Sequence, residues 1–204
     1  MFTRRKHRVG RRIGRRSVAG LALLAALALP ATALAAEFIG TEGPDHLVGT
    51  EEADLIKGLG GHDTLEGLGG PDEIWGGADR DLIYGGDGGD LLYGEEGADS
   101  IRGGDGADGI RAGEGPDNVA GGDGPDRISG GDGDDALYGG EGPDVIYGGE
   151  GNDLVNGGPG NDYLVVAGDH QADAVRCGDG WDIVVLGRGD VAGPGCERTI
   201  HRDG

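Results

Sequence analysis

Fourteen aspartates recur every nine residues without a break, and this regularity constrains the chain more than any other feature. They are Asp45, Asp54, Asp63, Asp72, Asp81, Asp90, Asp99, Asp108, Asp117, Asp126, Asp135, Asp144, Asp153 and Asp162. Two residues after each comes an aliphatic side chain, from Leu47 and Ile56 through Val155 to Leu164, with no exception. If aliphatics filled about a fifth of positions, fourteen successive hits would have a chance probability on the order of 10⁻¹⁰. With Asp at the sixth position of a nine-residue frame, the first six positions read as a turn. Glycine there reaches positive φ and lets backbones approach closely. The last three positions read as a short strand with its aliphatic residue facing inward. Collagen is excluded, because glycine does not recur at every third residue.

A unit with one inward apolar side chain cannot form a core alone and must stack on its neighbours. Two nonapeptides make one coil of 18 residues, so the loops of Asp126 and Asp144 would lie one strand spacing apart, about 4.8 Å. Carboxylates that close repel each other unless a cation sits between them. Ca²⁺ suits the gap, since it takes roughly six to eight oxygens and accepts backbone carbonyls beside Asp. Mg²⁺ demands tighter octahedral geometry than loop carbonyls readily give. All fourteen aspartates are therefore candidate Ca²⁺ ligands, with several ions per chain.

The clearest units are Gly85-Gly86-Asp87-Gly88-Gly89-Asp90-Leu91-Leu92-Tyr93 and Gly148-Gly149-Glu150-Gly151-Asn152-Asp153-Leu154-Val155-Asn156. Over residues 40–165 the chain resembles the haemolysin-type (RTX) calcium-binding repeat family, whose nonapeptide is G-G-x-G-x-D-x-U-x. The resemblance implies an all-β fold, a right-handed parallel β-roll or solenoid with two nonapeptides per coil. It also implies that two loops share each ion. Carbonyls at positions two and four of one loop and one and three of the next would join the two Asp side chains.

The loops are not equivalent. Glu52 and Asp79 replace glycine in the second and fifth units, and Leu59 and Leu68 occupy second-glycine positions; Glu95 and Ala112 are further departures. A side chain at positive φ is strained, so the best sites are expected between residues 103 and 162 and weaker ones near the N-terminal end. Pro44, Pro71, Pro116, Pro125 and Pro143 precede the Asp of their units and stiffen the turn where their φ fits.

After Asp162 the register slips by two residues, and Asp173 and Asp182 resume it with Val175 and Val184 at the aliphatic position. Gln171 stands where a glycine would be, which puts the Asp173 site in doubt. Counting these closing repeats gives about eight coils. Cys177 and Cys196 are the only cysteines; in an exported chain an even number predicts one disulfide, here closing a C-terminal cap.

Residues 1–35 hold eight Lys/Arg and no acid, then an apolar run from Val18 to Leu29 and the small-residue stretch Ala33-Leu34-Ala35. That order predicts a secretory signal peptide, since the run is shorter than the roughly 18 residues a membrane span needs. The Sec and twin-arginine routes are both open. The expected organisation is a signal peptide over 1–35, a lead-in over 36–39, the roll over 40–165, and divergent closing repeats with a cap over 166–204. Without the signal, nine Lys/Arg stand against 38 acids, a formal charge of −29. Such a chain does not bind nucleic acid or an anionic membrane surface through charge, and no membrane span is expected in the mature chain.

One aliphatic per nine residues is a thin core against the entropy of ordering so much glycine, so folding is expected to require Ca²⁺ and to follow export. The function expected is a secreted, monomeric Ca²⁺-binding repeat protein. The alternative is a calcium-dependent adhesive or carbohydrate-binding surface protein using the roll as scaffold, with a cell-surface or glycan partner. Trp75 and Tyr93, 18 residues apart on one face, offer either cross-strand packing or a sugar platform. Tyr84 falls on the opposite face. Arg188-Gly189-Asp190 spells an adhesion tripeptide, a motif too short to carry weight alone. Neither H-E-x-x-H nor G-x-S-x-G occurs, and the expectation is that the chain is not an enzyme.

Overall fold

The computed structural model describes residues 36–202; the expected signal peptide over 1–35 lies outside the described residues. Nineteen strands, numbered in chain order from β1 (Ala36–Ile39) to β19 (Arg198–His201), alternate between two parallel sheets. The odd-numbered strands form a ten-stranded sheet and the even-numbered ones a nine-stranded sheet. Each coil thus contributes one strand to each sheet, and the chain makes a parallel β-solenoid of about nine turns. Among the described residues there is no helix, and so none long and apolar enough to cross a membrane.

Neighbouring strands pair in the 18-residue register that the frame predicts, as in Val119↔Leu137 and Ile128↔Ile146. At the C-terminal end the offset becomes 20, with Leu154↔Ala174 and Tyr163↔Ile183, which places the two-residue slip between the last regular coil and the closing one. The repeats alone predict about eight turns. The additional strands are β1, which pairs with β3 (Asp54–Gly60), and β18 (Val191–Ala192) and β19, which pair with β16 (Ala174–Asp179) and β17 (Ile183–Leu186). A parallel ladder needs only extended backbone in register, so strands can be added where the nonapeptide signature is missing.

The strands are also longer than the frame suggests. A typical one, β12 (Ala136–Glu141), runs from position seven through position three of the next unit. The two glycines taken for turn residues therefore belong to the strand. Burial alternates along it, so that positions six, eight and one face inward: Asp, aliphatic, glycine. The position-eight side chains from Ile56 to Val184 stack into a single apolar column. The turn proper is short. Position-five N–H groups bond only side chains of a neighbouring coil where they bond at all, as Arg80 does to His62 and Asn152 to Asp134. Proline at that position therefore forfeits no ladder bond.

Of the departures from the repeat, Leu59, Leu68, Asp79 and Glu95 do adopt positive φ, between 75° and 84°. Glu52 does not.

Candidate metal centres

The sequence places an aspartate at the turn of every half-coil, and the fold stacks them into two columns, one along each edge between the sheets. One column runs Asp45, Asp63, Asp81, Asp99, Asp117, Asp135, Asp153, Asp173; the other runs Asp54, Asp72, Asp90, Asp108, Asp126, Asp144, Asp162, Asp182. Within a column each carboxylate is tied to the coil before it. The Asp126 N–H donates to Asp144 Oδ1 at 2.9 Å, and the Asp108 N–H donates to Asp126 Oδ1 at 2.9 Å. Oδ1 is thereby satisfied.

Oδ2 is not. Fourteen of these oxygens, one on each aspartate from Asp63 to Asp182, are buried without any hydrogen-bond donor. They converge on main-chain carbonyls. A Cβ placed on Gly121 would overlap both Asp126 Oδ2 and the Gly139 carbonyl oxygen, and one on Gly139 would overlap Asp144 Oδ2 and the Gly157 carbonyl. Two acceptors face the same space, and the glycine at position one leaves it open. An unpaired anionic oxygen buried this way costs several kcal/mol, and hard oxygen donors of this kind fit Ca²⁺. Among the described residues no three His, Cys, Asp or Glu side chains converge on one point, so a cation here would take carboxylates and main-chain carbonyls together.

Burial pushes these carboxyls up. The N–H bond from the preceding coil opposes it without cancelling it, and neighbouring carboxylates often add to the rise. Asp72, Asp108, Asp126, Asp144 and Asp162 are raised to about 6. Asp81, Asp117, Asp135 and Asp173 are raised to about 7. Asp63, Asp90, Asp99 and Asp153 are raised as well, again chiefly by burial.

The two N-terminal aspartates differ from the rest. Thr41 donates to Asp45 Oδ2 through both its N–H (2.6 Å) and its hydroxyl (2.9 Å). Thr50 does the same for Asp54 Oδ2, at 2.6 and 2.9 Å. Threonine at position two thus occupies with protein donors the oxygen left bare elsewhere. Position one of the Asp117 loop carries Ala112, fully buried, whose Cβ stands where glycine keeps the other loops open.

At the other end the frame yields to substitutes. Asp173 and Asp182 carry bare Oδ2 atoms like those of the regular loops, despite Gln171. Asp190 accepts from the Asp173 N–H at 3.3 Å, and its other oxygen accepts from Gly187 N–H at 2.5 Å; Glu197 accepts from Asp182 N–H at 2.8 Å. The aspartate of the Arg188-Gly189-Asp190 tripeptide is therefore held inside the chain's own end. Cys177 occupies position one of its loop, fully buried, and forms a disulfide with Cys196, their Cα atoms 5.1 Å apart. The Cys177 carbonyl faces the Asp162 Oδ2 across Gly157 as the glycine carbonyls do in the regular loops, whereas on the other side a Val166 methyl group stands against Gly148.

Stacked coils with two columns of carboxylates facing carbonyls define a calcium-binding β-solenoid. A family model described as the RTX calcium-binding nonapeptide repeat (four copies) matches six overlapping segments, 39–74, 58–92, 75–110, 84–119, 111–145 and 135–164. The chain belongs to this family. No curated protein matches it as a relative.

Proposed function

We propose that this is an exported protein whose roll folds when Ca²⁺ fills the two carboxylate columns, and that Asp63 through Asp182 are the ligands. The observation that carries this reading is the set of fourteen buried Oδ2 atoms with no donor. Bound Ca²⁺ supplies the positive charge that these oxygens lack. Seven such aspartates in each column leave six gaps between neighbours per column, and so about twelve shared sites. With an extracellular-type Kd of ~10⁻⁴ M at ~1 mM free Ca²⁺, each site contributes roughly 1.4 kcal/mol. Twelve together contribute on the order of 15 kcal/mol, comparable to the stability of a whole domain.

The same arithmetic supports export before folding. Where free Ca²⁺ is low, repulsion along the columns keeps the chain open. Outside the cell the ions close it. The basic, apolar and small-residue order of residues 1–35 supports that route. Far-ultraviolet circular dichroism of the chain from residue 36 tests it. Sheet signal should appear on adding Ca²⁺ at pH 7.5 and vanish in excess chelator; a sheet spectrum that persists in chelator overturns the reading.

A further inference from the structure

The outer face of the odd-numbered sheet carries a depression unlike the rest of this acidic surface. It has a volume of about 350 Å³ and lies across β7 (Leu91–Glu96), β9 (Gly109–Glu114), β11 (Arg127–Asp132) and β13 (Val145–Glu150). Register explains its shape. Position nine reads Tyr93, Arg111, Ser129, Tyr147 on successive rungs, and position seven places Gly109 beside Arg127. Gly109 and Ser129 contribute almost no bulk, so the floor drops between two arginines. Tyr93 and Tyr147 stand as walls three rungs apart, about 14 Å.

Tyr93 is braced by Trp75, with ring centroids 4.0 Å apart and planes at 17°. That stack occupies one face of each ring. It leaves the Tyr93 face toward Arg111 as part of the depression.

The chemistry of the lining is distinctive. No carboxylate borders this depression, although Arg111 and Tyr93 also line the adjoining one, which holds Glu95, Glu96 and Glu114. Arg111 and Arg127 are both exposed. Neither pairs with an acid, since the one ion pair among the described residues is His46–Glu66. On the other sheet the corresponding arginine, Arg102, lies over Tyr84, with 5.9 Å to the ring centroid. Two guanidiniums without an ion-pair partner, side by side on neighbouring strands, repel each other, and an external anion held between them relieves that repulsion. Their planar forks match carboxylate geometry, and the tyrosines supply the amphipathic walls on which a sugar ring rests. The volume falls within the usual range for a small-ligand site.

We infer that this depression binds a carboxylate-bearing saccharide, with Arg111 and Arg127 holding the carboxylate and Tyr93 and Tyr147 flanking the ring. The inference requires the folded roll and not the calcium reading, and circular dichroism on each sample reports the fold separately.

The test is calorimetric titration of the Ca²⁺-equilibrated chain with trigalacturonate, against its fully methyl-esterified, uncharged form. The acid should bind and the ester should not. Arg111→Ala or Arg127→Ala should weaken binding at least about tenfold, and the double variant should abolish it. Arg102→Ala should leave it unchanged, which separates the site from a general loss of positive charge, while the loss in the double variant separates it from calcium-bridged attachment to surface acids. Three results would overturn the inference: equal binding of the ester, undiminished binding by the double variant, or no binding by the folded wild type. Self-association that the double variant abolishes would also overturn it, by assigning the arginines to the acids of a second copy.

Discussion

Replacing Asp126 by Asn should change stability in opposite directions with and without Ca²⁺. Asn keeps the shape and can still accept the Asp108 N–H that Asp126 Oδ1 accepts now, but it removes the charge from a buried oxygen that has no donor. Asp126 borders two gaps, toward Asp108 and Asp144. Losing both sites at ~1 mM Ca²⁺ costs about 3 kcal/mol. In chelator the charge is a burden. Burial raises the Asp126 carboxyl from 3.8 to about 6, so at pH 7.5 its ionised form disfavours the folded state by about 3 kcal/mol, and Asn relieves this. The contrast is Asp54→Asn, where Thr50 already holds the free oxygen. Its effect should be about 1 kcal/mol and independent of Ca²⁺. Guanidinium unfolding at 1 mM Ca²⁺ measures the first effect; acid-induced folding in chelator, with the midpoint moving to higher pH, measures the second. If Asp126→Asn destabilised both states alike, or matched Asp54→Asn, the aspartates would be turn formers rather than ligands.

Further outcomes follow from the same geometry. Because the folded carboxyls lie above their unfolded value, the chelated roll binds more protons than the open chain. Its stability is then greatest below about pH 4 and is lost as pH rises through 6 to 7. Circular dichroism in chelator should therefore show folding on acidification, the reverse of ordinary acid denaturation, and calorimetry should show Ca²⁺ affinity falling below pH 7. The double variant Thr41→Gly/Thr50→Gly frees Asp45 and Asp54 and should raise the calorimetric Ca²⁺ stoichiometry by up to two, while lowering stability in chelator. Reducing the Cys177–Cys196 disulfide, which spans 19 residues, should cost ~3 kcal/mol. Hydrogen exchange should place the loss in residues 174–201 rather than in the central coils.

The repeat made the solenoid, the 18-residue register and the Asp columns legible, because each depends on identical residues at fixed spacing. The features it hid depend on what individual side chains do once stacked. Thr41 and Thr50 stand at second-glycine positions and nothing in the repeat marks them, yet their N–H and hydroxyl groups turn two candidate ligands into a protein-capped end. Asp173 was in doubt because of Gln171, but its carboxylate position follows from the preceding coil's N–H and not from its own loop glycine. Asp190 and Glu197 lie off the nine-residue frame and join the columns only through the fold. The depression around Arg111 and Arg127 was equally hidden. The two are 16 residues apart in sequence and meet only because their strands pair with Gly109 opposite Arg127.

The most direct test of the central claim is the number of Ca²⁺ ions bound per chain, measured by titration calorimetry at pH 7.5 with circular dichroism on the same samples. About twelve ions should bind as the sheet signal develops, in step with it. Uptake of only one or two ions, or full sheet signal before any ion binds, would contradict it.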